Sequence, residues 1–492
     1  MPDHPLRTGA HLLIEALCGH GAGPAFHFPG AIEAPDIRFV PCASAAAASV
    51  MAEACGRLTG RPGLALVADT VAADAAQGVR IAARDATPLV LLVAEDAPLD
   101  LAALLGPEAG PIARVAGVDS IPAAVADAFH AAAARPGSAV LALPRRLLAA
   151  ESRAAPVAPR PVAAEPPPDG AMVARVRDAL AAAQRPLVVA GGPGWSDADA
   201  GTLLRAAEAG LLPVCCTARR RDFLDNESVC YAGALDAGGD PALLRRVGDC
   251  DLLLLAGADL ADLPEGPPAG VPVIAGPPAL TAALADAVAT GPETGVPPWA
   301  DWAADARADC VIHAEPEPFS GTAGPGAVFG WLKERLPVDA VVACDGGPLS
   351  GPALRPLLFR RPGRLLVPAA GAYGLPAAVA AKLLHPGRIV LGICDGAGFA
   401  AFAPDLATAA AAGAAPLVLV VNAGPDDAAE RARGHGAFAV TVEHPSGFVA
   451  AFWEALWSRR PAVIDLRIDS AAGAAVPPEP PSRGPQPPQP GC

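Results

Sequence analysis

Aromatic residues are scarce in this chain, at 4% of 492 residues with 2 Tyr and 6 Trp. Hydrophobic residues still reach 52%, carried mainly by Ala, Val and Leu. The cores must therefore be large and built from small side chains. Lysine is rarer still. Only Lys333 and Lys382 occur, which leaves few candidates for Schiff-base chemistry. Positive charge is in deficit, with 36 Lys plus Arg against 51 Asp plus Glu and a formal charge of −15. A nucleic-acid surface needs a basic stripe, so no nucleic-acid partner is expected. No uninterrupted apolar run approaches the roughly 18 residues of a membrane span, so no membrane partner is expected either. The N-terminus lacks a basic region followed by an apolar run, and a cytoplasmic location is the expectation. The 11 cysteines include no C-x-x-C and read as free buried thiols. The 9 histidines do not cluster, which disfavours zinc.

Proline is abundant, and it divides the chain. "APVAPRPVAAEPPPDG" (155–170) and "HAEPEPFSGTAGPG" (313–326) read as extended linkers. "VPPEPPSRGPQPPQPGC" reads as a disordered Pro-rich tail over 474–492. Three segments remain, 1–154, 171–312 and 327–473. Each alternates Val/Leu/Ile runs with Ala-rich helical stretches, as in "LALVAD", "PLVLLVAED", "RPLVVAGG", "DLLLLAGA", "RIVLGICDG" and "PLVLVVNAG". Uninterrupted apolar strands between helices indicate parallel sheets covered on both faces. The fold class expected is α/β, with three doubly wound parallel-sheet domains. In such sheets ligands bind beyond the carboxyl ends of the strands.

The third segment carries the strongest chemical pattern. The strand "RIVLGI" ends in Cys394-Asp395-Gly396, and "PLVLVV" ends in Asn422-Ala423-Gly424. The intervening residues 397–421 suit one βαβ crossover, which puts Asp395 and Asn422 at the same sheet edge. A carboxylate, an amide oxygen and a loop carbonyl are hard ligands suited to Mg²⁺. The backbone N–H groups from Gly396 and Ala397 onward open a helix and can hold a diphosphate. The bland reading is a strand–turn–helix, since Asp-Gly and Asn-x-Gly are common turn residues.

Here the sequence resembles thiamine-diphosphate enzymes of the acetolactate synthase group. That family carries Gly-Asp-Gly, a gap in the mid-twenties, then Asn-Asn. This chain keeps Asp395, Gly396 and Asn422, and has Cys394 and Ala423 at the other two positions. "YGLPAAVAAKLLHPGRIV", "ALAAAQRPLVVAGGPGW", "MAEACGRLTGRPGLALV" and "IPAAVADAFHAAAARPGSAVLALP" resemble further family segments, in the family's order. The resemblance implies a pyruvate oxidase/decarboxylase-like architecture: a pyrimidine-binding-type domain, a central Rossmann-like domain and a diphosphate/Mg²⁺ domain. It implies thiamine diphosphate with the metal on Asp395, Asn422 and the carbonyl of Gly424. It implies at least a homodimer or homotetramer, with "AAGAYGLPAAVAAKLL" (369–384) among the expected interfacial surfaces. Some relatives hold FAD in the central domain, and the sequence leaves FAD open.

Equally informative is what the resemblance fails to find. The family's Glu, which hydrogen-bonds the cofactor's pyrimidine and promotes proton transfer, falls on Ala45. Glu53 reads as structural or solvent-facing, and Glu33 as a weaker-placed substitute. Asp345, Asp69 and Asp85 are further acids, none placed where the family needs one. The apolar residue that bends the cofactor aligns with Gly371. The family's Gly-Pro-Gly-Ala turn is Thr70-Val71-Ala72-Ala73, and its Gln-bearing loop is not recognisable around Leu101–Pro111. Two expectations follow. One is an acetolactate synthase-like enzyme that decarboxylates a 2-oxo acid such as pyruvate and joins the fragment to a second carbonyl. The other is a catalytically silent homologue that serves as a binding or scaffold protein or as the partner of an active paralogue. Cys215-Cys216 reads as core. Arg219-Arg220-Arg221 reads as a solvated turn or a phosphate contact. Cys394 reads as a thiol at a helix N-terminus, where its pKa would fall, or as a replacement for Gly that crowds the diphosphate turn.

Overall fold

The computed structural model describes residues 5–28, 36–162, 166–236, 239–264, 266–290, 295–315 and 325–468. Glu33 and the Pro-rich 474–492 segment lie outside these residues. In the first domain β1 (Arg7–Thr8) pairs antiparallel with β8 (Glu151–Ser152). Between them lie β2 (Ala25–Phe28), β3 (Phe39–Pro41), β4 (Gly63–Ala68), β5 (Leu89–Glu95), β6 (Ile112–Arg114) and β7 (Ser138–Pro144). These six form a parallel sheet in the order β3-β2-β4-β5-β7-β6. The second domain has β9 (Pro186–Ala190), β10 (Val214–Thr217), β11 (Tyr231–Leu235), β12 (Leu252–Ala256) and β13 (Val273–Gly276). Its parallel order is β11-β10-β9-β12-β13.

The third domain has β14 (Val341–Cys344), β15 (Leu365–Leu366), β16 (Val390–Asp395), β17 (Leu417–Asn422), β18 (Phe438–Val442) and β19 (Ala462–Arg467). Their order is β15-β14-β16-β17-β19-β18, again all parallel. The three main sheets are thus parallel, as the unbroken apolar runs require. The strands that pattern alone misses are mostly short ones, such as β3, β6 and β15. The helix Ala300–Ala314 runs through His313, and the next helix begins at Pro325.

The small side chains decide how the first and third domains meet. The helix Ala45–Thr59 and the helix Gly374–Leu384 are packed against each other in one continuous core. Ala45, Ala47, Ala48 and Ala52 on the first, and Ala377, Ala378, Ala380 and Ala381 on the second, are all buried. Alanine faces let helix backbones approach closely, and many weak contacts then add up. Space is exhausted where the Ala45–Thr59 helix meets the helix Ala76–Asp85. A methyl added to Gly78 would lie 2.4 Å from the Ser49 carbonyl carbon. This packing corrects the expectation for 369–384. Residues 374–381 are buried by the chain's own first domain, so apolarity there does not mark a surface offered to another copy.

Candidate functional site

Parallel pairing aligns the two strands that end in the candidate ligands. Asp395 of β16 stands opposite Val421 of β17, with Asn422 next along. Asp395 then caps the helix Gly396–Phe402, its Oδ1 accepting from Gly398 N–H at 2.6 Å. Asn422 is buried and held from two sides. Its Nδ2 donates to the Asp426 carbonyl at 2.8 Å and to Asp465 Oδ1 at 3.0 Å. That orientation leaves Oδ1 to accept from Gly424 N–H at 3.0 Å. It lies 3.2 Å from where a Gly396 Cβ would stand. Gly396 and Gly424 therefore keep the space around the amide oxygen bare. Ala397, in the first turn of the helix, is exposed.

Beneath this corner lies Asp345. Its Oδ1 accepts from Tyr373 N–H and Gly374 N–H, each at 2.7 Å, and its Oδ2 accepts from Asp395 N–H at 3.0 Å. Burial pushes its carboxyl up to about 6, with the Asp395 charge adding to the rise and the backbone donors opposing it. A Cβ on Gly398 would sit 2.2 Å from Asp345 Oδ2, so only glycine fits there. Asp345 is a floor that fixes two backbone segments through three N–H donors.

Gly424 departs from expectation. Its carbonyl accepts from Arg467 Nη1 at 3.0 Å, and Arg467 Nη2 pairs with Asp465 at 3.1 Å. Gly371 has a φ of 95° and accepts from Gly346 N–H at 3.0 Å. It lines a cavity of about 200 Å³ with Gln77, Arg80 and Arg84. Cys394 corrects both sequence readings. Its Sγ points at the Gly374–Leu384 helix, 2.9 Å from a Cβ built on Gly374. Burial drives its thiol well above the ordinary value. It is a core group that crowds a helix, with neither a lowered pKa nor a place in the diphosphate turn.

The other half of the expected site is apolar. Ala45 is fully buried at the first position of its helix. Ser44 caps that helix by accepting from Ala47 N–H at 3.0 Å. The acid found here comes from the third domain. Asp405 Oδ1 accepts from Ala43 N–H at 2.9 Å and from Thr408 Oγ1 at 3.3 Å. Burial raises its carboxyl to about 6. Sequence reasoning passed over Asp405; its only signal was a lone Asp at a helix start in "PDLATA".

Glu53 is buried, not solvent-facing, and its Oε2 accepts from Tyr373 OH at 2.6 Å. Burial raises its carboxyl above the usual range. One turn on, Arg57 donates to Asp85 Oδ2, to the Val367 carbonyl and to the Arg219 carbonyl, each at 2.9 Å. Arg219 pairs with Asp85 at 2.9 Å, and Arg220 donates to the Asp85 carbonyl at 3.0 Å. Asp222 accepts from Arg364 N–H and Leu365 N–H. The triplet Arg219–Arg221 is therefore not a solvated turn. Together with Arg57 and Asp85 it locks all three domains. Cys215 and Cys216 are core residues of β10.

A second cavity, of about 570 Å³, opens at the carboxyl edge of the central sheet between Gly192, Thr217, Gly257 and Pro278, with Arg84, Arg219 and Arg220 on its wall. Among the described residues no group of three or more His, Cys, Asp or Glu could hold a metal. Any cation at the third sheet would thus rest on Asp395 together with amide and backbone oxygens. Among the described residues no helix is long and apolar enough to cross a membrane.

Parallel α/β sheets in series, with an Asp and an Asn side by side at one carboxyl edge, define the class as a multidomain α/β protein. Two family models sharpen this. One, described as thiamine pyrophosphate enzyme, N-terminal TPP binding domain, matches residues 7–102. The other, thiamine pyrophosphate enzyme, central domain, matches residues 173–274. Residues 7–102 and 173–274 thus match the N-terminal and central domains of thiamine pyrophosphate enzymes, and the chain is similar to an acetolactate synthase. It is 32% identical over 160 residues to a catabolic acetolactate synthase of Raoultella terrigena, an alignment that covers 28% of this chain and 29% of that protein. The chain thus matches less than a third of the length of that curated relative.

Proposed function

We propose that this chain binds thiamine diphosphate with a divalent cation at the carboxyl edge of its third sheet. The observation that carries this reading is the corner where Asp395 and Asn422 Oδ1 converge beside Gly396 and Gly424. A carboxylate and an oriented amide oxygen suit Mg²⁺, which keeps waters and phosphate oxygens in its remaining positions. When bound, thiamine diphosphate supplies a carbanion-stabilising centre for 2-oxo acids. Asp395 and Asn422 would hold the metal, and the bare backbone at Gly396 would admit the diphosphate. The Gly424 carbonyl is engaged by Arg467, so a third protein oxygen requires that contact to break. FAD, if held, has room in the cavity beside Gly192 and Gly257. Turnover would be that of an acetolactate synthase-like carboligase acting on a 2-oxo acid such as pyruvate, in a homodimer or homotetramer.

A second reading, the catalytically silent binder, is favoured by one specific observation. The start of the Ala45–Thr59 helix is sealed by alanine, and Glu53 is spent on Tyr373. Both readings are tested on the purified chain. Co-purified thiamine diphosphate or flavin is assayed first, then binding is titrated with Mg²⁺ present. Absence of saturable binding rejects both cofactor readings. With the cofactor bound, exchange of its thiazolium C2 proton is followed by NMR. An accelerated rate establishes the enzyme, and an unaccelerated one the silent binder.

A further inference from the structure

Trp331, Phe448, Phe452, Trp453 and Trp457 form a continuous run of ring contacts on the third domain, with neighbouring centroids 5.0 to 6.4 Å apart. The inner rings are core. Phe448 and Phe452 are buried in the cluster that holds Ile464 and Leu466 of β19. The outer end is open. Val449, Trp453 and Trp457 are 39%, 38% and 74% exposed. Spacing by four puts all three on one face of the helix Phe448–Trp457. The solvent face of a surface helix ordinarily carries polar residues. In a chain with 4% aromatics, two exposed indoles stacked at 6.1 Å with 27° between their planes mark a contact surface rather than stray apolar residues.

The onward course of the chain supplies an occupant. The helix joins β18 to β19, which pair in parallel, so it returns from the carboxyl edge of the sheet to the amino edge. Val449 is therefore at the carboxyl end of the stripe and Trp457 at the amino end. β19 ends at Arg467, back at the carboxyl edge, and Ile468 packs on the same core as Phe448 and Phe452. Residues 469–492 continue from there. At about 3.3 Å per residue, 469–477 span up to roughly 30 Å before the first proline of the tail, Pro477. The helix is only about 15 Å long, so the prolines can reach both indoles. The tail repeats P-x-x-P, at Pro477/Pro480, Pro478/Pro481, Pro485/Pro488 and Pro487/Pro490. Such sequence favours polyproline II, a preformed helix that aromatic-lined surfaces recognise at low entropic cost. Its carbonyls are free of internal hydrogen bonds, so an indole N–H can donate to one while the indole face packs on a proline ring.

We propose that the Val449–Trp453–Trp457 face is a docking surface for the proline-rich segment 477–490 of the same chain, laid along the helix from the carboxyl edge toward Trp457. Docking covers the stacked indoles and denies that face to any other protein. It uses none of the residues of the cofactor reading. A short tether gives an effective concentration on the order of millimolar. The free segment therefore needs a Kd at or below about 1 mM for the tethered one to hold the face at least half the time.

The test uses the full chain labelled with 5-fluorotryptophan, whose fluorine signals for Trp453 and Trp457 are assigned by Trp→Phe variants. Deleting residues 474–492 should move those two signals and leave Trp195, Trp299 and Trp302 in place. Replacing every proline of 477–490 by alanine in the full-length chain should move them in the same way. A synthetic 474–492 peptide, added to the shortened chain, should restore both signals saturably with a Kd at or below about 1 mM. Trp457→Ala should weaken that binding by about tenfold, as loss of an aromatic anchor does; the side chain is 74% exposed, so the fold does not depend on it. Val449→Asp, on the same stripe, is the second variant and should weaken binding too. In the full chain both signals should be unchanged by dilution. Signals that ignore the deletion, a peptide Kd well above millimolar, or equal binding by the peptide with alanine for proline would overturn the proposal. Signals that move on dilution would also overturn it, by assigning the face to a second copy.

Discussion

The carboxyl edge of the third sheet and the start of the Ala45–Thr59 helix are the two halves of the site that the family resemblance implies, and they have diverged differently. At the edge, polar side chains persist and are held in place. Asn422 is fixed by Asp465 and Asp426, and Asp395 caps the following helix. At the helix, the scaffold persists and the acid does not. Ser44 still caps and Ala45 is fully buried. A binding corner can be kept by strand register and a few hydrogen bonds. A buried acid must be stabilised in its protonation state by its surroundings, and an alanine core offers no such support.

Experiments that break this comparison are ordered by expected size. Arg57→Met should cost most, about 3–5 kcal/mol by chemical denaturation, because it removes the buried ion-pair partner of Asp85 and the donor to two backbone carbonyls in the interior. Ala45→Glu should cost roughly 3 kcal/mol, the penalty for a carboxyl placed where no partner waits. With cofactor present, accelerated C2 exchange in this variant would show that one residue was the whole deficit; we expect none. Asp395→Ala should weaken Mg²⁺-dependent thiamine diphosphate binding by about tenfold to 100-fold while leaving stability within roughly 1 kcal/mol.

The last comparison is of pH dependence. Asp405 and Asp345 are each raised from 3.8 to about 6 in the folded chain. The fold therefore binds protons more tightly than the unfolded chain does. Their contribution is fully present below the unfolded value and is lost as pH rises through about 6. Asp405→Asn should remove about 3 kcal/mol of the stability change across that interval, half of the pair's share. A stability profile between these values that is identical in wild type and variant would reject the assignment.

Much of the architecture was legible because parallel strands buried on both faces write themselves as unbroken apolar runs, as in "PLVLLV" and "PLVLVV". Asp395 and Asn422 were legible for the same reason, since each ends such a run. Short strands such as β15, two residues long, carry too few positions for a pattern. Contacts between domains were not legible at all. Glu53 and Tyr373 are 320 residues apart in sequence, and nothing local in either marks the other. The Gly374–Leu384 helix shows the same limit from another side. Its composition declares it buried, but says nothing of whether the same chain or another covers it.

Arg57 also has a timing. Its partner carbonyl on Val367 lies 310 residues downstream. At a synthesis rate of about 5–20 residues per second, that interval is on the order of 15–60 seconds. For most of it, once β7 (Ser138–Pro144) has been made, the first sheet is complete on the ribosome while a guanidinium, two carboxyls and an alanine-faced helix wait for their cover. The nascent first domain should therefore be open to protease and dependent on chaperones until the third domain emerges, and ribosome-bound intermediates of increasing length would show protection arriving only then.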